Sequence, residues 1–219
     1  MTELDNNLLI TIPIKNLKFT KSRLGEILSL NQRIKITNFL LFQLISKINN
    51  LKKYFGRVIN IALITSNKVS TDFINQNKII IISDAGSKSL SEAILIAKDF
   101  AFEKKYRALC FLPSDLEKPT EEDLKKFISP PYHLNEMRIC PSENFGTNAL
   151  LISLPNDFEF KFGKNSFHKH IKVGSKLKLE KNIFRLDSLT FDIDEPKDLT
   201  QAWFSMNHIS KINTPKIIF

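Results

Sequence analysis

Residues 8–14 read LLITIPI, a short and continuous apolar run. Such a run predicts a strand that is buried on both faces. A second run of the same kind, VINIALI, stands at residues 58–64. Between the two runs, Ser29 and Gln32 have the spacing of a capping box, and the apolar helical pattern that follows ends before Gly56. This part of the chain therefore predicts a strand, a long helix and a second strand.

The same alternation continues along the rest of the chain. Further strands are predicted at residues 78–82, 108–112, 137–140, 148–152 and 189–193, and helices after Ser89, Thr120, Ser166 and Pro196. Strands that alternate with helices are joined by right-handed crossovers, which gives a mostly parallel sheet with helices on both faces. We expect one α/β domain over residues 1–206 and a loose tail over residues 207–219.

Length and composition exclude several classes of protein. A chain of 219 residues with 42% apolar and 25% charged residues is long enough for one packed domain and is not a disordered chain. No apolar run reaches the roughly 18 to 20 residues of a membrane span, and the acidic amino terminus lacks the basic start of a secretory signal. Cys110 and Cys140 lie too far apart for a zinc knuckle. We expect a soluble, cytoplasmic protein with no membrane partner.

The chain is strongly basic, with a formal net charge of +9. This charge suits an anionic partner, such as a nucleic acid, an acidic membrane surface or a phosphorylated small molecule. The lysines are spread along the sequence, and the many phenylalanines fall mostly at apolar-periodic positions. Both observations favour a generic basic surface and a packed core over a nucleic-acid-binding module. That module stays as the alternative from outside the enzymes.

A basic loop follows the first predicted strand, where ligands bind in a sheet of this kind. It contains Lys15, Lys18, Lys21 and Arg23. A nucleotide phosphate would lie there. The loop is neither a G-x-G-x-x-G turn nor a Walker A loop, so that a dehydrogenase or a P-loop ATPase is not supported. A solvated basic face is the alternative interpretation.

Three aspartates form the second group of candidates. Asp115 directly follows the fourth strand, where it could hold a hard cation or cap a turn. Asp192 and Asp194 are two residues apart on a predicted strand and would point the same way, which is unfavourable unless a cation lies between them. Asp194 could equally cap the helix that begins at Pro196, and simple exposure would explain Asp192. A metal at this place would be held by carboxylates, which selects Mg²⁺.

Two glycine turns carry neutral groups. Thr147 follows Gly146, and Ser166 comes three residues after Gly163, at a predicted helix start. Each turn could hold a phosphate through N–H and O–H groups, and each could equally be a capped turn. We expect Lys15 and Asp115, which follow strands, to converge with Thr147 and Asp192 on one cleft.

Four segments, in this order, resemble the 2-phospholactate guanylyltransferase family of coenzyme F-420 biosynthesis. They read IPIK (12–15) with KSRL (21–24); LPSDL (112–116); GTNALL (146–151) with FKFG (160–163) and SF (166–167); and FDIDEPKDL (191–199). Together they span about residues 8–205. The segments GTNALL and FDIDEPKDL are the specific ones.

The resemblance implies a single-domain nucleotidyltransferase fold of the α/β class, Rossmann-like and similar to the GT-A type, with a mostly parallel central sheet. It implies transfer of GMP from GTP to a phosphorylated three-carbon acid, with release of pyrophosphate. The acid would be 2-phospho-L-lactate, phosphoenolpyruvate or 3-phospho-D-glycerate. Neither a nucleic acid nor a membrane is an implied partner, and the oligomeric state is left open between monomer and homodimer. Another nucleotidyltransferase, using CTP or GTP with a different phosphate acceptor, is the alternative enzyme.

The resemblance also implies roles for individual residues. It implies that the Mg²⁺ ligands and catalytic carboxylates are Asp115, Asp192 and Asp194, that Lys21 is catalytic, that the phosphorylated acid is bound by Thr147, Gly163 and Ser166, and that the triphosphate lies beside Lys15, Lys21 and Arg23. The chain departs from the family at residues 89–91, which read SLS where GLN is usual, and at Glu117, where Pro is usual. The first departure concerns the preference for guanine.

Overall fold

A sheet of seven strands organises the computed structural model, which describes residues 7–17, 20–199 and 215–219. Its strands are β1 (Leu8–Pro13), β2 (Ile59–Ile64), β3 (Ile79–Ile82), β4 (Ala108–Phe111), β5 (Glu136–Pro141), β6 (Thr147–Ser153) and β7 (Glu180–Ile183). The strand order across the sheet is β3-β2-β1-β4-β6-β5-β7. Only the pairings of β6 with β4 and β5 are antiparallel within these ranges. The prediction of a mostly parallel sheet is confirmed.

Six α-helices accompany these strands in the described ranges. They are α1 (Leu30–Phe55), α2 (Thr71–Asn77), α3 (Leu90–Glu103), α4 (Glu121–Ile128), α5 (Ser166–Lys176) and α6 (Asp187–Thr190). The predicted starts of three of them are confirmed, because Ser29, Ser89 and Thr120 each accept a hydrogen bond from the backbone N–H three residues later. Each cap satisfies an N–H group that the first turn of a helix leaves without a partner. None of the described helices is both long and apolar enough to span a bilayer.

Helices pack on both faces of the sheet through apolar side chains. On one face, Leu44 of α1, Phe73 of α2 and Phe127 of α4 pack in one core. On the other face, Ile94 of α3 packs in a second core with aromatic residues such as Phe158, and α5 lies against it. Removing these surfaces from water supplies the main driving force for folding. The predicted arrangement of helices on both faces is confirmed.

Three elements differ from the predictions. The strand predicted at residues 189–193 is wrong, because the helix α6 occupies its first half. The strand β7 was not predicted, since its sequence, EKNI, is polar and mostly exposed at the edge of the sheet. An edge strand needs no continuous apolar run, and charged residues there discourage pairing with other chains. The short helix α2 was not predicted either.

The last residues of the chain are packed against the domain. Ile217 and Ile218 are fully buried, and their backbone N–H groups donate to Asn38 Oδ1 at 3.2 and 2.9 Å. The prediction of a loose tail is therefore wrong for residues 215–219, because two isoleucines bury apolar surface there and Asn38 satisfies their backbone. Lys18 and residues 200–214, which include the boundary at residue 206 and the rest of that tail, lie outside the described residues.

Candidate active site

A cleft of about 670 Å³ opens at the edge of the sheet where β1 and β4 end. Because β6 is antiparallel to β4, the first residues of β6 lie at this same edge. All nine residues that the sequence singled out line this cleft: Lys15, Lys21, Arg23, Asp115, Thr147, Gly163, Ser166, Asp192 and Asp194. The predicted convergence of Lys15, Asp115, Thr147 and Asp192 on one cleft is confirmed as geometry, whereas the roles of all nine residues stay predictions.

A short backbone ladder holds Asp115 next to Asp192. Leu116 pairs with Asp192 as an isolated antiparallel bridge. On either side of it, Glu117 N donates to Phe191 O at 3.1 Å and Ile193 N donates to Asp115 O at 3.0 Å. This ladder is what remains of the strand predicted at residues 189–193. It fixes two carboxylates at the floor of the cleft although neither belongs to the central sheet.

Asp192 is oriented by the amide of Asn148. Asn148 Nδ2 donates to Asp192 Oδ1 at 3.2 Å and to Thr190 O at 2.9 Å. Burial, followed by the nearby charge of Asp115, raises the pKa of Asp192 to about 6, against the hydrogen bond from Asn148. A raised pKa means that this environment opposes the negative charge. The contact of Asn148 with Asp192 was not predicted, although its place in the GTNALL segment was the available signal.

The side chain of Lys21 contacts one of these two carboxylates, that of Asp115. The lysine side chain is buried, and its Nζ donates to Ile193 O and lies 3.4 Å from Asp115 Oδ2. A small apolar core holds the loop in place, because Leu24 and Leu28 pack there with Ile193 and Leu199. The loop after β1 is thereby attached to the segment that carries Asp192.

Asp194 has a different partner from the other two aspartates. Its Oδ2 lies 2.7 Å from Arg23 Nη1, in an ion pair that is largely exposed. The turn at Pro196 is capped by Asp198, whose Oδ2 accepts from the backbone N–H groups of Asp194 and Glu195. The alternative role of Asp194 as a side-chain cap is therefore not the one seen. Across the described ranges, no three His, Cys, Asp or Glu side chains lie close enough to hold a metal ion together.

The charges of the cleft nevertheless fit a divalent cation. Although the whole chain carries a net charge of +9, the described residues that line the cleft include six carboxylates and only five cationic side chains. Asp115 lies close enough to Asp192 for its charge to raise the pKa of Asp192. Both residues bear the oxygen ligands that Mg²⁺ prefers. In proteins, Mg²⁺ is commonly bound by one or two carboxylates together with the phosphates of a substrate. The pair of Asp115 and Asp192 fits this pattern.

Another part of the cleft lining is formed by neutral groups that are hydrogen-bonded to each other. Thr147, the first residue of β6, and Ser166, the first residue of α5, are both buried, and Ser166 Oγ donates to Thr147 Oγ1 at 3.1 Å. Gly163, three residues before Ser166, has a backbone φ of +106°, which a residue with a side chain rarely adopts. At Gly146, an added Cβ would lie 2.6 Å from Ser142 Oγ. We call Thr147, Gly163 and Ser166 the hydroxyl pocket.

The departure at residues 89–91 lies beside this pocket. Ser89 caps α3, and Ser91 Oγ accepts a hydrogen bond from Phe162 N at 3.0 Å. Phe162 comes directly before Gly163, so that the start of α3 supports the turn of the hydroxyl pocket. Leu90 lines the cleft. The expected effect of this segment on guanine preference stays a prediction.

The fold is that of known nucleotide-dependent transferases. A protein of Desulfovibrio desulfuricans G20, described as a nucleotide-diphospho-sugar transferase, superimposes with a TM-score of 0.68 at 15% identity, over 99% of this chain and 93% of its own. The inositol-1-phosphate CTP transferase of T. maritima matches with a TM-score of 0.50 at 10% identity, over 96% of this chain and 98% of its own. At such low identity these likenesses establish the class of fold.

The family is established by the sequence. Residues 8–211 match the family model described as "Guanylyl transferase CofC like", so the chain belongs to that family. A 3-phospho-D-glycerate guanylyltransferase of Colwellia psychrerythraea is 25% identical over 87% of this chain and 88% of its own. A 2-phospho-L-lactate guanylyltransferase of Methanococcoides burtonii is 28% identical over 87% and 80%. A phosphoenolpyruvate guanylyltransferase of Chloroflexus aggregans is 25% identical over 88% and 95%.

Proposed function

We propose that the protein is a guanylyltransferase that transfers GMP from GTP to a phosphorylated three-carbon acid and releases pyrophosphate. The observation that carries this proposal is the division of one cleft into the hydroxyl pocket and the pair of Asp115 and Asp192 beside Lys21. One side suits the phosphate of an acceptor, and the other suits a triphosphate with its cation. The named relatives act on three such acids, which supports this substrate class.

Catalysis of this reaction depends on positioning the substrates and neutralising their charge more than on a covalent nucleophile. An oxygen of the acceptor phosphate attacks the α-phosphorus of GTP, and the bond between the α-phosphorus and its bridging oxygen to the β-phosphate breaks. Pyrophosphate leaves, and a diphosphate links the acid to guanosine. Because the acceptor phosphate is already ionised near neutral pH, no side chain has to remove a proton from it. Because both substrates are anions, cations must offset the repulsion between them as they approach.

Within this proposal, each side of the cleft has its own task. Thr147 and Ser166 offer hydroxyls to the acceptor phosphate, and the exposed backbone at Gly163 lets the ligand approach closely. Lys15 and Arg23, which are exposed at the opposite rim, lie beside the triphosphate. Lys21 is buried next to Asp115, where it reduces the repulsion between the carboxylates and draws the α-phosphate toward the floor.

Asp115 and Asp192 would hold Mg²⁺, with Asp194 as a third ligand if it exchanges Arg23 for the ion. The ion would neutralise phosphate charge and orient the acceptor and leaving oxygens. Asn148 would keep Asp192 turned toward the cleft through its hydrogen bond. As a cytoplasmic enzyme of coenzyme F-420 biosynthesis, the protein would use one of the three acids that the resemblance implies.

Pyrophosphate release tests the proposal directly. The protein is incubated with GTP, Mg²⁺ and one of 2-phospho-L-lactate, phosphoenolpyruvate or 3-phospho-D-glycerate, and parallel reactions contain CTP, EDTA or no acid. We expect release that requires GTP, Mg²⁺ and one preferred acid. Equal release with CTP would favour the alternative nucleotidyltransferase. Release that does not depend on any of the acids would contradict the proposed acceptor class.

A further inference from the structure

His170 lies beneath the hydroxyl pocket and contacts it through one ring nitrogen. It is on α5, four residues after Ser166, so that both side chains are on the same face of the helix. The imidazole is fully buried, against the rings of Phe158 and Phe162. It does not line the cleft, and no role follows for it from the motifs of the sequence.

The backbone fixes which ring nitrogen of His170 carries the proton. The N–H of Lys161 donates to His170 Nε2 at 2.9 Å. A backbone N–H can only donate, so Nε2 is an acceptor without a proton. Burial lowers the pKa of His170 to about 4, which keeps the ring neutral near pH 7. In a neutral ring the remaining nitrogen, Nδ1, must hold the proton.

This proton decides how the two hydroxyls can orient. His170 Nδ1 lies 3.0 Å from Thr147 Oγ1 and donates to it, and Ser166 Oγ donates to the same oxygen at 3.1 Å. A hydroxyl oxygen has two lone pairs and one proton. Both lone pairs of Thr147 are therefore occupied, and its own proton has no acceptor among these neighbours. The cleft, which Thr147 lines, is the direction that remains.

We propose that His170 is a positioning residue, which forces the pair of Thr147 and Ser166 to present one O–H donor to the phosphate of the acceptor. If Nδ1 lacked its proton, Thr147 would donate inward to the ring while Ser166 donated to Thr147, and the pocket would present only lone pairs. The proposal rests on the proposed function, because it concerns the same acceptor site. It goes further in naming His170 as the group that orients the O–H donor of the pocket.

The direction of this donor selects the class of ligand. An ionised phosphate oxygen accepts hydrogen bonds and has no proton to give, so it complements an O–H that can only donate toward the cleft. A ligand that carries an ammonium or a neutral hydroxyl at this place would lack an acceptor in the orientation that Lys161 and His170 impose. The pocket therefore favours a fully ionised phosphate over its neutral analogues.

Two substitutions of His170 separate the proposed role from a merely structural one. In His170→Asn the amide nitrogen stands near the place of Nδ1 and can still donate to Thr147. In His170→Gln the longer side chain reaches the place of Nε2, where it can accept from Lys161 N but leaves Thr147 without its donor. We expect His170→Gln to raise the KM for the acid by about ten- to a hundredfold, since the hydroxyl of Thr147 is then free to turn away and its hydrogen bond to the charged phosphate is weakened. His170→Asn should restore most of this loss, and neither variant should change the KM for GTP by more than about twofold.

A double-mutant cycle keeps the test informative if one variant folds poorly. Thr147→Val removes the hydroxyl, so that adding His170→Gln to it should raise the KM for the acid no further. Additive effects in this cycle, or equal losses in the Asn and Gln variants, would overturn the proposal. A thermal melt of each variant identifies losses that come from unfolding alone.

The tautomer can be measured without any substrate. In protein labelled with ¹⁵N-histidine, long-range ¹H–¹⁵N correlations should show His170 neutral, with its proton on Nδ1. A proton on Nε2 would overturn the proposal whatever the enzyme does. If the tautomer is as expected but the wild type shows no transfer that depends on the acid, the proposed function fails while the hydrogen-bond arrangement stands.

Discussion

The two walls of the cleft satisfy their polar groups in opposite ways. In the hydroxyl pocket, Thr147 and Ser166 are buried, neutral and bonded to each other and to His170. In another part of the cleft, Asp115 and Asp192 are like charges held together by the backbone, and the cation Lys21 contacts Asp115. Neutral dipoles can satisfy one another within one chain, whereas adjacent carboxylates need external positive charge.

This difference predicts a division of labour in the reaction. The hydroxyl pocket has its geometry before any substrate arrives, which reduces the ordering needed to bind the acceptor. The carboxylate wall is incompletely neutralised by the chain itself, as the raised pKa of Asp192 indicates. We therefore expect changes in the pocket to affect the affinity for the acid, and changes in the carboxylate wall to affect turnover and the response to Mg²⁺.

Asp192→Asn should give the largest effect on turnover. The variant keeps the shape of the side chain and the hydrogen bond with Asn148, but it loses the charge that would hold the ion. Metal stabilisation of the transition state supplies several kcal/mol, so we expect kcat to fall by about a thousandfold or more. Pyrophosphate release at increasing Mg²⁺ concentration measures this loss.

An exposed aspartate provides the matched control for that variant. Asp99 lies on the surface of α3 and does not line the cleft. Asp99→Asn removes the same charge and should leave turnover within about twofold, since surface substitutions away from a site have small effects. Full activity of Asp192→Asn would mean that the carboxylate is structural.

Ser166→Ala should instead act on the acceptor. It removes the O–H that donates to Thr147, so that the donor of Thr147 toward the phosphate is no longer oriented, and a weakened hydrogen bond to a charged group corresponds to about a ten- to hundredfold rise in the KM for the acid. The KM for GTP should stay nearly constant. Steady-state kinetics with each substrate varied in turn measure the two KM values separately.

Ser175→Ala is the matched control on the same helix, because Ser175 is exposed on α5. It should change neither KM. If Ser166→Ala altered the KM for GTP while the requirement for the acid stayed the same, Ser166 would belong to the nucleotide side of the cleft.

Asp194→Asn should have a smaller effect than Asp192→Asn. The carboxylate of Asp194 is paired with Arg23 and largely exposed, and exposed ion pairs contribute little energy. We expect a loss in kcat of about tenfold, or about 1.4 kcal/mol. A loss as large as that of Asp192→Asn, measured in the same Mg²⁺ titration, would show that Asp194 leaves Arg23 and joins the ion.

The charge of Asp192 should also lower the stability of the protein in EDTA. Its pKa is raised to about 6 in the folded chain, so the folded state holds a proton that the unfolded state releases between about pH 4 and pH 6. The stability from this group is complete below about pH 4 and is lost as the pH rises through about 6. At pH 7 we expect Asp192→Asn to be more stable than the wild type by about 1–3 kcal/mol.

Denaturant unfolding of both proteins across pH 4 to 7 measures this difference. The wild type should lose stability relative to the variant as the pH rises, and added Mg²⁺ should stabilise the wild type more than the variant. A constant difference across this range would mean that the folded protein does not disfavour the ionised form of Asp192.

The sequence predicted the parts of this molecule whose signals are local. Apolar runs gave β1, β2 and β4, and side-chain caps gave the starts of α1 and α3, because burial and capping leave patterns within a few residues. The nine cleft residues were found because they lie in the four segments that resemble the guanylyltransferase family.

The parts that were missed depend on contacts between distant segments. The strand β7 is polar because it lies at an edge, and the ladder beside Asp192 forms only when residues 115–117 meet residues 191–193. The pairing of Asp194 with Arg23 follows from a small core between two loops. The role of His170 depends on a backbone N–H nine residues earlier, which no pattern of residue types reveals.

Phosphorus NMR of the complete reaction tests the central claim most directly. The wild type is mixed with GTP, Mg²⁺ and each of the three acids in turn, and the products are followed over time. We expect pyrophosphate together with two coupled resonances of an unsymmetrical diphosphate. In this diphosphate the phosphate of one acid is joined to the phosphate of GMP. Formation of GMP and pyrophosphate alone, or of the same products without any acid, would contradict it.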